Sequence, residues 1–145
     1  MKVLAVQGSP KKKGNTALLL EHYLRGVEEN HRNVEINRVF LQEKNIAPCT
    51  GCYTCIEKNS SCVIEDDMQE LYGKIVEADL LIFATPVYWW SISAQLKTFV
   101  DRFCPLSVEE FQRQKVCSAD DLWYGTTKYR PRDGGKYVQR DLGSL

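Results

Sequence analysis

Three short apolar segments alternate with three amphipathic segments over residues 1–103, and this alternation constrains the fold more than any other feature of the sequence. The apolar segments predict strands over Lys2 to Val6, Val34 to Leu41 and Asp79 to Thr85. The third contains the continuous run Leu80-Leu81-Ile82-Phe83-Ala84, which is typical of a parallel strand covered on both faces. The order strand, helix, strand, helix, strand, helix therefore predicts a doubly wound α/β domain with a parallel sheet.

The three helices are predicted from apolar residues spaced three and four positions apart. The first begins at about Asn15 or Thr16. The third begins near Ser91 or Ser93. The second follows Asp67-Met68-Gln69-Glu70, a sequence typical of a capping box, in which the first side chain accepts a hydrogen bond from the first turn of the helix. Because ligands of such domains bind at the carboxyl ends of the strands, the loops after the first and third strands are candidate sites.

The loop after the first strand has the features of a phosphate-binding turn. Residues 8–16 read Gly-Ser-Pro-Lys-Lys-Lys-Gly-Asn-Thr and lead into a helix N-terminus, where free backbone N–H groups and the helix dipole favour an anion. A nucleotide P-loop is excluded, since Gly8 and Gly14 are one residue too far apart and Asn15 replaces the expected lysine. A dinucleotide fingerprint is excluded because its third glycine is missing. The predicted ligand is a phosphate monoester, and the alternative is a solvated turn with an incidental run of lysines.

The loop after the third strand places three aromatic side chains in a row beside the predicted phosphate site. It reads Thr85-Pro86-Val87-Tyr88-Trp89-Trp90-Ser91. Tyrosine and tryptophan combine large apolar faces with polar groups, and backbone groups of the same loop can hydrogen-bond the edge of a ring. The pattern favours a flat heteroaromatic ligand. The alternative is a hydrophobic plug or a subunit contact.

Four of the six cysteines lie within fourteen residues of one loop. They are Cys49, Cys52, Cys55 and Cys62. Each thiolate is a soft ligand, so four in one loop can close around an iron–sulfur cluster or a zinc ion. The run Cys-x2-Cys-x2-Cys with a fourth cysteine nearby favours a cluster, because zinc sites more often use two separated pairs. Two disulfides, or buried reduced cysteines, are the remaining alternatives.

Charge and hydropathy limit the binding partners and the cellular compartment that are expected for this chain. Lysine plus arginine and aspartate plus glutamate number 19 each, so no global charge favours nucleic acid or a membrane surface as a partner. No stretch approaches the ~20 apolar residues that a membrane-spanning helix needs, and the first strand reaches Gly8 too soon for the apolar region of a signal peptide. The chain is therefore predicted to be cytoplasmic, where thiols are kept reduced, and this disfavours the disulfides.

The three motifs together resemble the iron–sulfur flavoprotein branch of the NADPH-dependent FMN reductase family. The resemblance covers about residues 1–103 and implies a flavodoxin-like fold with the strand order 2-1-3. It implies that the phosphate of FMN is bound by Ser9, Lys11, Lys13, Gly14, Asn15 and Thr16. It implies that the isoalloxazine ring of FMN contacts Pro86, Val87, Tyr88 and Trp89. In the cluster-bearing members, cysteines like Cys49, Cys52, Cys55 and Cys62 hold a [4Fe–4S] cluster that exchanges electrons with the flavin.

The resemblance ends after the third helix, where the family continues with two more strands and a further helix. Residues 111–117 contain no buried-strand run, and residues 124–145 are polar and rich in Gly and Arg. We therefore predict a three-stranded FMN-binding domain over 1–103, with the cysteine loop at 48–62. The remainder, 104–145, is expected to be an atypical, shortened extension that is disordered or forms an oligomer. A homo-oligomer is expected because the edge beside the third strand is otherwise unpaired.

The leading functional prediction is a flavin-dependent oxidoreductase that moves electrons between a [4Fe–4S] cluster and FMN, with no side chain acting as acid or base. A second hypothesis is an NAD(P)H-dependent FMN or quinone reductase with structural cysteines. A third is a non-catalytic protein whose cysteine loop binds zinc. Candidate electron donors are a ferredoxin-like protein and NAD(P)H. Cys104 and Cys117 lie outside the motif and are expected to be free thiols, because neither has a nearby histidine to activate it.

Overall fold

The structure, a computed structural model, describes residues 1–107 and 115–118. The strands are β1 (Lys2–Gln7), β2 (Glu35–Phe40), β3 (Leu80–Ala84) and β4 (Lys115–Ser118). The helices are α1 (Asn15–Asn30), α2 (Thr54–Glu57), α3 (Met68–Glu77) and α4 (Ala94–Asp101), with a 3-10 turn at Leu41–Glu43. The three predicted strands and the three predicted helices are all present. Among the described helices, none has the length and apolar content that crossing a membrane requires.

All four strands belong to one parallel sheet with the order β2-β1-β3-β4. β1 lies between β2 and β3, so that Val6 pairs with Val39 on one side and with Phe83 on the other. This confirms the flavodoxin-like α/β fold and the predicted order 2-1-3 of the first three strands. It also places the ends of β1 and β3 next to each other at the carboxyl edge of the sheet, where ligands of such folds bind.

Alternate residues of β1 contribute to opposite faces of the core. Leu4 and Val6 pack with buried residues of β2, α3, β3 and α4, among them the fully buried Phe99. Val3 and Ala5 pack on the other face against α1 and β3. Burial on both faces explains why β1 and β3 are continuous apolar runs in the sequence rather than alternating ones.

The prediction of only three strands is wrong, because β4 extends the sheet beyond β3. Lys115 is opposite Leu80, and its amide donates a hydrogen bond to the Asp79 carbonyl at 3.1 Å. Four residues of mixed polarity carry no strand pattern of their own, and β4 is defined by the free hydrogen-bonding edge that β3 offers. Pairing of that edge removes the reason for which an oligomer was predicted. The other predictions for residues 108–114 and 119–145, and for the thiol of Cys117, lie outside the described part of the chain.

The start of α3 also differs from the predicted capping box. Asp67 already has helical backbone angles, with φ −60° and ψ −13°, and its side chain does not cap the helix. Its carboxylate accepts a hydrogen bond from the Asn45 amide at 2.8 Å instead. Asp66 takes over the contact with the first turn, since its Oδ1 accepts from the Met68 amide at 3.0 Å. The prediction misplaced the cap because tertiary contacts of both aspartates, absent from the local sequence pattern, fix their orientation.

Candidate functional site

The loops after β1 and β3 are joined by hydrogen bonds among four buried residues, which we call the loop junction. The Gly8 amide donates to the Ala84 carbonyl at 2.7 Å, and the Ser93 hydroxyl donates to the Gly8 carbonyl at 2.7 Å. The Ser93 amide donates to Thr85 Oγ1 at 3.0 Å. These contacts hold the predicted phosphate turn and the predicted aromatic loop side by side.

Gly8 is needed at the loop junction because a side chain would not fit. A Cβ atom on Gly8 would lie 2.9 Å from both Leu96 Cβ and Ser93 Oγ. Ser93 is also the N-cap of α4, where its side chain accepts a hydrogen bond from the Leu96 amide at 3.3 Å. This confirms Ser93 as one of the two predicted starts of the third helix. Sequence reasoning did not assign Ser93 or Thr85 to the site. The available signal was that Thr85 begins the aromatic loop and that Ser93 follows it by two residues.

The predicted phosphate turn leads into an α1 N-terminus that has no side-chain cap. The N-cap residue is Gly14, in an extended conformation. The buried Ser9 accepts a hydrogen bond from the Lys11 amide at 3.2 Å, and the Gly14 amide donates to the Lys11 carbonyl at 3.3 Å. The turn is thus closed by local contacts. The amides of the first turn of α1, which include those of Asn15 and Thr16, remain available to an anion.

The three lysines of this turn differ in their contacts. Lys12 forms an ion pair with Glu43 at 2.7 Å, and its ammonium group lies 5.7 Å from the centre of the Phe40 ring. Lys11 and Lys13 are exposed and form no ion pair with any described residue. The two lysines predicted to contact the phosphate are therefore the two that the fold leaves available for it.

The aromatic loop closes in a tight two-residue turn. The Tyr88 amide donates to the Ser91 carbonyl at 2.8 Å, and the Ser91 amide donates back at 3.1 Å. Trp89 and Trp90 between them have φ values of 46° and 67°, as in a type I′ turn, although positive φ is unfavourable for bulky residues. Trp89 is 93% exposed and Trp90 is 87% exposed, so neither is a plug in the described part of the chain. The predicted ring contacts lie together on this loop, partly or largely open to solvent: Pro86, Val87, Tyr88 and Trp89.

The four cysteines of the predicted metal site line one cavity of about 310 Å³, which we call the cysteine cavity. The cavity is also lined by Asp101, the last residue of α4, and by Arg102 and Cys104, which follow the helix. The cysteines of the motif are free, and each is exposed or half-buried: Cys49, Cys52, Cys55 and Cys62. The structure therefore contains neither two disulfides nor a set of buried reduced cysteines at this loop.

The four thiols of the cysteine cavity are soft ligands, of the type that binds zinc or an iron–sulfur cluster. Within residues 1–107 and 115–118, no three His, Cys, Asp or Glu side chains converge as ligands of one metal ion. A zinc ion needs its sulfur ligands at about 2.3 Å from one centre. A four-iron cluster is held by four cysteine thiolates, and the four cysteines of the motif line one cavity. The chemistry of the donor set fits such a cluster, and its binding stays a prediction.

Local contacts act in opposite directions on two thiols of the cysteine cavity. Hydrogen bonds from the side chain and the backbone amide of Thr54 lower the pKa of Cys52, which favours the thiolate that binds metal. Partial burial, and then the negative charges of Cys49 and Cys55, raise the pKa of Cys104. Cys104 is a free thiol, as predicted. Sequence reasoning missed its place in the cavity wall, because only the packing of α4 against the cysteine loop brings it there.

A buried ion pair between Arg102 and Asp66 closes the cysteine loop. Arg102 Nη1 donates to Asp66 Oδ2 at 2.6 Å and to the Ala47 carbonyl at 2.8 Å. Arg102 Nη2 donates to Asp66 Oδ1 at 3.2 Å and to the Ile64 carbonyl at 3.4 Å. Ala47 precedes the first cysteine of the motif and Ile64 follows the last, so one guanidinium joins both ends of the loop. Sequence reasoning missed this pair because neither residue belongs to a recognisable motif.

Hydrogen bonding keeps both members of this pair charged despite their burial. Burial acts to raise the pKa of Asp66, but hydrogen bonds from Arg102 and from the amides of Ala47 and Met68 hold it below its ordinary value. Burial acts to lower the pKa of Arg102, but the hydrogen bond with Asp66 raises it above its ordinary value. The pair is therefore ionised throughout the neutral range.

Side chains of α3 fix the second end of the cysteine loop. Gln69 Nε2 donates to the Cys62 carbonyl at 2.9 Å and to the Ile64 carbonyl at 2.7 Å. The Tyr72 hydroxyl donates to the Arg102 carbonyl at 2.9 Å and so ties α3 to the end of α4. Burial, and then the negative charge of Cys62, raise the pKa of Tyr72, so its hydroxyl stays protonated. The last cysteine is thus held by side chains of a regular helix.

Comparison with known proteins decides the family. Residues 1–119 match the family described as NADPH-dependent FMN reductase. The chain belongs to this family. The match spans the phosphate turn, the cysteine loop, the aromatic loop and β4, and it confirms the family that the sequence motifs predicted. The predicted end of the resemblance at about residue 103 is wrong, because the match continues to residue 119.

Relatives of this FMN reductase family member include iron–sulfur flavoproteins of two archaea. One from Archaeoglobus fulgidus is 36% identical over 142 residues, which make up 98% of this chain and 62% of the relative. One from Methanocaldococcus jannaschii is 40% identical over 119 residues, which make up 82% of this chain and 60% of the relative. The chain thus spans about three fifths of the length of these relatives.

A solved structure supports the fold of this FMN reductase family member. The FMN-dependent NADH-azoreductase of Bacillus anthracis in complex with FMN superimposes with a TM-score of 0.60 at 15% identity, over 81% of this chain and 67% of that chain. At this identity the likeness shows the fold alone.

Proposed function

We propose that the chain is an FMN-dependent oxidoreductase of the iron–sulfur flavoprotein type, which moves electrons between a [4Fe–4S] cluster and FMN. The observation that carries the proposal is the cavity shared by four free cysteines in a chain that also forms the loop junction. The names of the archaeal relatives and the family description support the same assignment.

The two proposed sites lie near opposite ends of α4. Ser93 caps the start of this helix at the loop junction, and Asp101 and Arg102 at its end line the cysteine cavity. Eight helical residues span about 12 Å. A short helix packed on the sheet through Leu96 and Phe99 therefore sets the spacing between the proposed flavin site and the proposed cluster site.

FMN, when bound, supplies one- and two-electron chemistry that no side chain of this protein offers. The role of the protein is to bind FMN and to orient it. The free amides of the first turn of α1 fit a phosphate group, and the neighbouring lysines add positive charge. We assign phosphate binding to Ser9, Lys11, Lys13, Gly14, Asn15 and Thr16. We assign contact with the isoalloxazine ring to Pro86, Val87, Tyr88 and Trp89.

Anaerobic purification tests both halves of the proposal. The expected product shows flavin absorption together with iron and sulfide in equal amounts. Cys49→Ser is expected to lose most of the iron, whereas the matched variant Cys104→Ser, in the same cavity but outside the motif, is expected to keep it. A protein that binds no FMN on titration, or a colourless protein that contains zinc, would contradict the proposal.

An NAD(P)H-dependent reductase with structural cysteines is the second candidate function, and the family description favours it. In that case NADPH bleaches the bound flavin rapidly, and the rate is the same in the parent and in the Cys49→Ser variant. In the leading proposal, electron transfer out of the flavin slows when the cluster is missing. Stopped-flow mixing of both proteins with NADPH and then with a one-electron acceptor separates the two functions.

We further propose a homo-oligomer in the cytoplasm, with a ferredoxin-like protein or NAD(P)H as the electron donor. The oligomer is supported by the exposed indoles of Trp89 and Trp90, since β4 pairs with the edge of β3. Sedimentation of the flavin-loaded protein at micromolar concentration tests it, and a monomer under those conditions would contradict it.

A further inference from the structure

The cysteine cavity contains one thiol more than a four-iron cluster uses. Cys104 lines the cavity together with the four cysteines of the motif. A four-iron cluster takes four thiolates, so the proposed cluster leaves the fifth thiol without a function. The Cys104 thiol donates a long hydrogen bond to the Asp101 carbonyl, at 3.7 Å. Because a thiol is a weak donor, this contact leaves the sulfur able to turn toward another group of the cavity.

The chain segment that carries Cys104 is tied to the segment that carries Cys49. Arg102 lies two residues before Cys104 and donates a hydrogen bond to the Ala47 carbonyl at 2.8 Å. Ala47 in turn lies two residues before Cys49. The guanidinium is fully buried and is also paired with Asp66, which fixes its position. The two segments are therefore held side by side at the wall of the cysteine cavity.

Contacts among the thiols select Cys49 as the partner of Cys104. The side chains of these two cysteines interact by hydrogen bonding and by charge, and Cys55 acts on Cys104 through charge. Cys62 interacts instead with Tyr72 of α3. The tie between the segments and the contacts of the thiols thus indicate the same pair.

Both cysteines of this pair are open to solvent and lie outside regular secondary structure. Each is exposed. Cys49 belongs to residues 44–53, which form neither helix nor strand, and Cys104 belongs to the turn after α4. A disulfide needs Cα atoms about 4.4–6.8 Å apart, and irregular segments adjust to such a distance more easily than helices or strands do. Disulfides of cytoplasmic proteins are usually transient and sense oxidants, so a reversible bond fits the proposed location.

We propose that Cys49 and Cys104 form a reversible disulfide when the cysteine cavity holds no cluster and a peroxide is present. The pairing is inferred from the described chain, and its consequence rests on the proposed function. The disulfide removes Cys49 from the proposed ligand set, because the thiolate is the form that binds metal. It therefore blocks cluster assembly under oxidising conditions, and it protects Cys49 from irreversible oxidation.

Hydrogen peroxide is the oxidant in this reaction. The sulfur of one cysteine attacks a peroxide oxygen, the O–O bond breaks, and a sulfenic acid forms with release of one water. The second thiol attacks the sulfenic sulfur, the S–S bond forms, and a second water leaves with the displaced hydroxyl group. Two thiols thereby lose two electrons and two protons, and the peroxide is reduced to two waters. A dithiol reductant reverses the bond by thiol–disulfide exchange.

The first test identifies the bond by mass spectrometry. The full chain is freed of iron with a chelator, reduced, and treated with an equimolar amount of hydrogen peroxide, and the remaining thiols are then blocked. We expect the oxidised protein to lose about 2 Da before blocking, the mass of two hydrogen atoms, and to give a peptide cross-link between Cys49 and Cys104. The control Cys52→Ser, which changes another cysteine of the same cavity, is expected to form the same cross-link.

The second test measures iron uptake after oxidation. Parent and Cys104→Ser are treated with an excess of hydrogen peroxide and then loaded anaerobically with iron and sulfide, with and without prior dithiothreitol. We expect dithiothreitol to restore the uptake of the parent, because a disulfide is reversible. We expect it to restore much less of the uptake of Cys104→Ser, because Cys49 without its partner is oxidised further to a sulfinic acid.

The outcomes separate this inference from the proposed function. A reduced parent that takes up no iron and sulfide would overturn the proposed function and the consequence for cluster assembly, but not the disulfide, which is measured by mass alone. A cross-link between two cysteines of the motif, or a gain of oxygen without a cross-link, would overturn this inference alone.

Equal recovery of the parent and Cys104→Ser after dithiothreitol would overturn the protective role of the disulfide. If Cys104→Ser takes up no iron before oxidation, the cross-link in the parent decides the question. A cross-link between Cys49 and Cys104, together with recovery that is greater in the parent, supports the inference.

Discussion

The loop junction and the cysteine cavity are held in place by different means. The junction is built from backbone groups and two small hydroxyls that lie within a few residues of a strand end or a helix start. The cysteine loop contains only the four-residue helix α2, and its two ends are joined by the guanidinium of Arg102. The proposed flavin site is therefore positioned by the ends of the sheet strands, whereas the proposed cluster site depends on a few buried side chains, chiefly the Arg102–Asp66 ion pair and Gln69.

The largest expected effect comes from breaking that ion pair. Asp66→Ala leaves Arg102 buried and uncompensated, so we expect a loss of about 3–5 kcal/mol in the free energy of unfolding, together with poor retention of iron. Urea unfolding followed by fluorescence measures the first effect, and iron analysis measures the second. The control Glu77→Ala removes an exposed ion pair with Lys2 and is expected to have no measurable effect. If Asp66→Ala and Glu77→Ala had the same free energy of unfolding, the buried ion pair would not be what holds the cysteine loop.

The second effect comes from crowding the loop junction. Gly8→Ala places a Cβ atom 2.9 Å from Leu96 Cβ and Ser93 Oγ, and we expect the resulting strain to cost about 1–3 kcal/mol and to weaken FMN binding. Iron uptake is expected to stay normal. The control Gly26→Ala, in α1 with no atom within 4 Å of the new Cβ, is expected to be neutral or stabilising. FMN titration and urea unfolding check both variants, and an unchanged FMN affinity in Gly8→Ala would break the assignment.

The third effect is a pH dependence of stability that comes from the buried Asp66–Arg102 ion pair. The pKa of Asp66 lies below its ordinary value of 3.8 in the folded protein, so the folded state holds the ionised carboxylate more strongly than the unfolded state does. The stability that this carboxylate contributes is complete above pH 3.8 and is lost as the pH falls through the lower folded value. We therefore expect the stability difference between parent and Asp66→Asn to be constant near neutrality and to shrink in acid. Unfolding curves across the acid range measure it, and a constant difference down to pH 2 would count against this cause.

The smallest effect separates the three lysines of the phosphate turn. We expect Lys11→Ala and Lys13→Ala each to weaken FMN binding about two- to fivefold at low salt, since a cation near a helix N-terminus adds to the attraction for phosphate. Lys12→Ala is the control, because Lys12 is already paired with Glu43. Fluorescence titration of FMN at two salt concentrations checks this. A larger loss in Lys12→Ala than in the other two variants would reverse the assignment.

How much of each site could be predicted from the sequence depends on how far apart in the chain its contacting residues lie. The phosphate turn and the aromatic loop are continuous segments between regular elements, so their residue types and order were visible directly. Ser93 was visible only as a helix start, because its bond to Gly8 joins residues 85 positions apart. Arg102 and Cys104 were not assigned to the cysteine cavity, since the packing of α4 against the loop brings them there. β4 escaped detection because its strand character comes from the edge of β3.

The sequence by itself determined the alternation of strands and helices, the anion-binding turn, the aromatic loop and the four-cysteine motif. Each of these depends on neighbouring residues, whose spacing sets hydrophobic periodicity, helix termini and ligand type. Only the tertiary structure decided that the cysteine loop is closed by Arg102 and Asp66, that a fifth thiol joins the cavity, and that β4 covers β3. Those features depend on burial and on hydrogen bonds between residues distant in the chain, which local patterns do not encode.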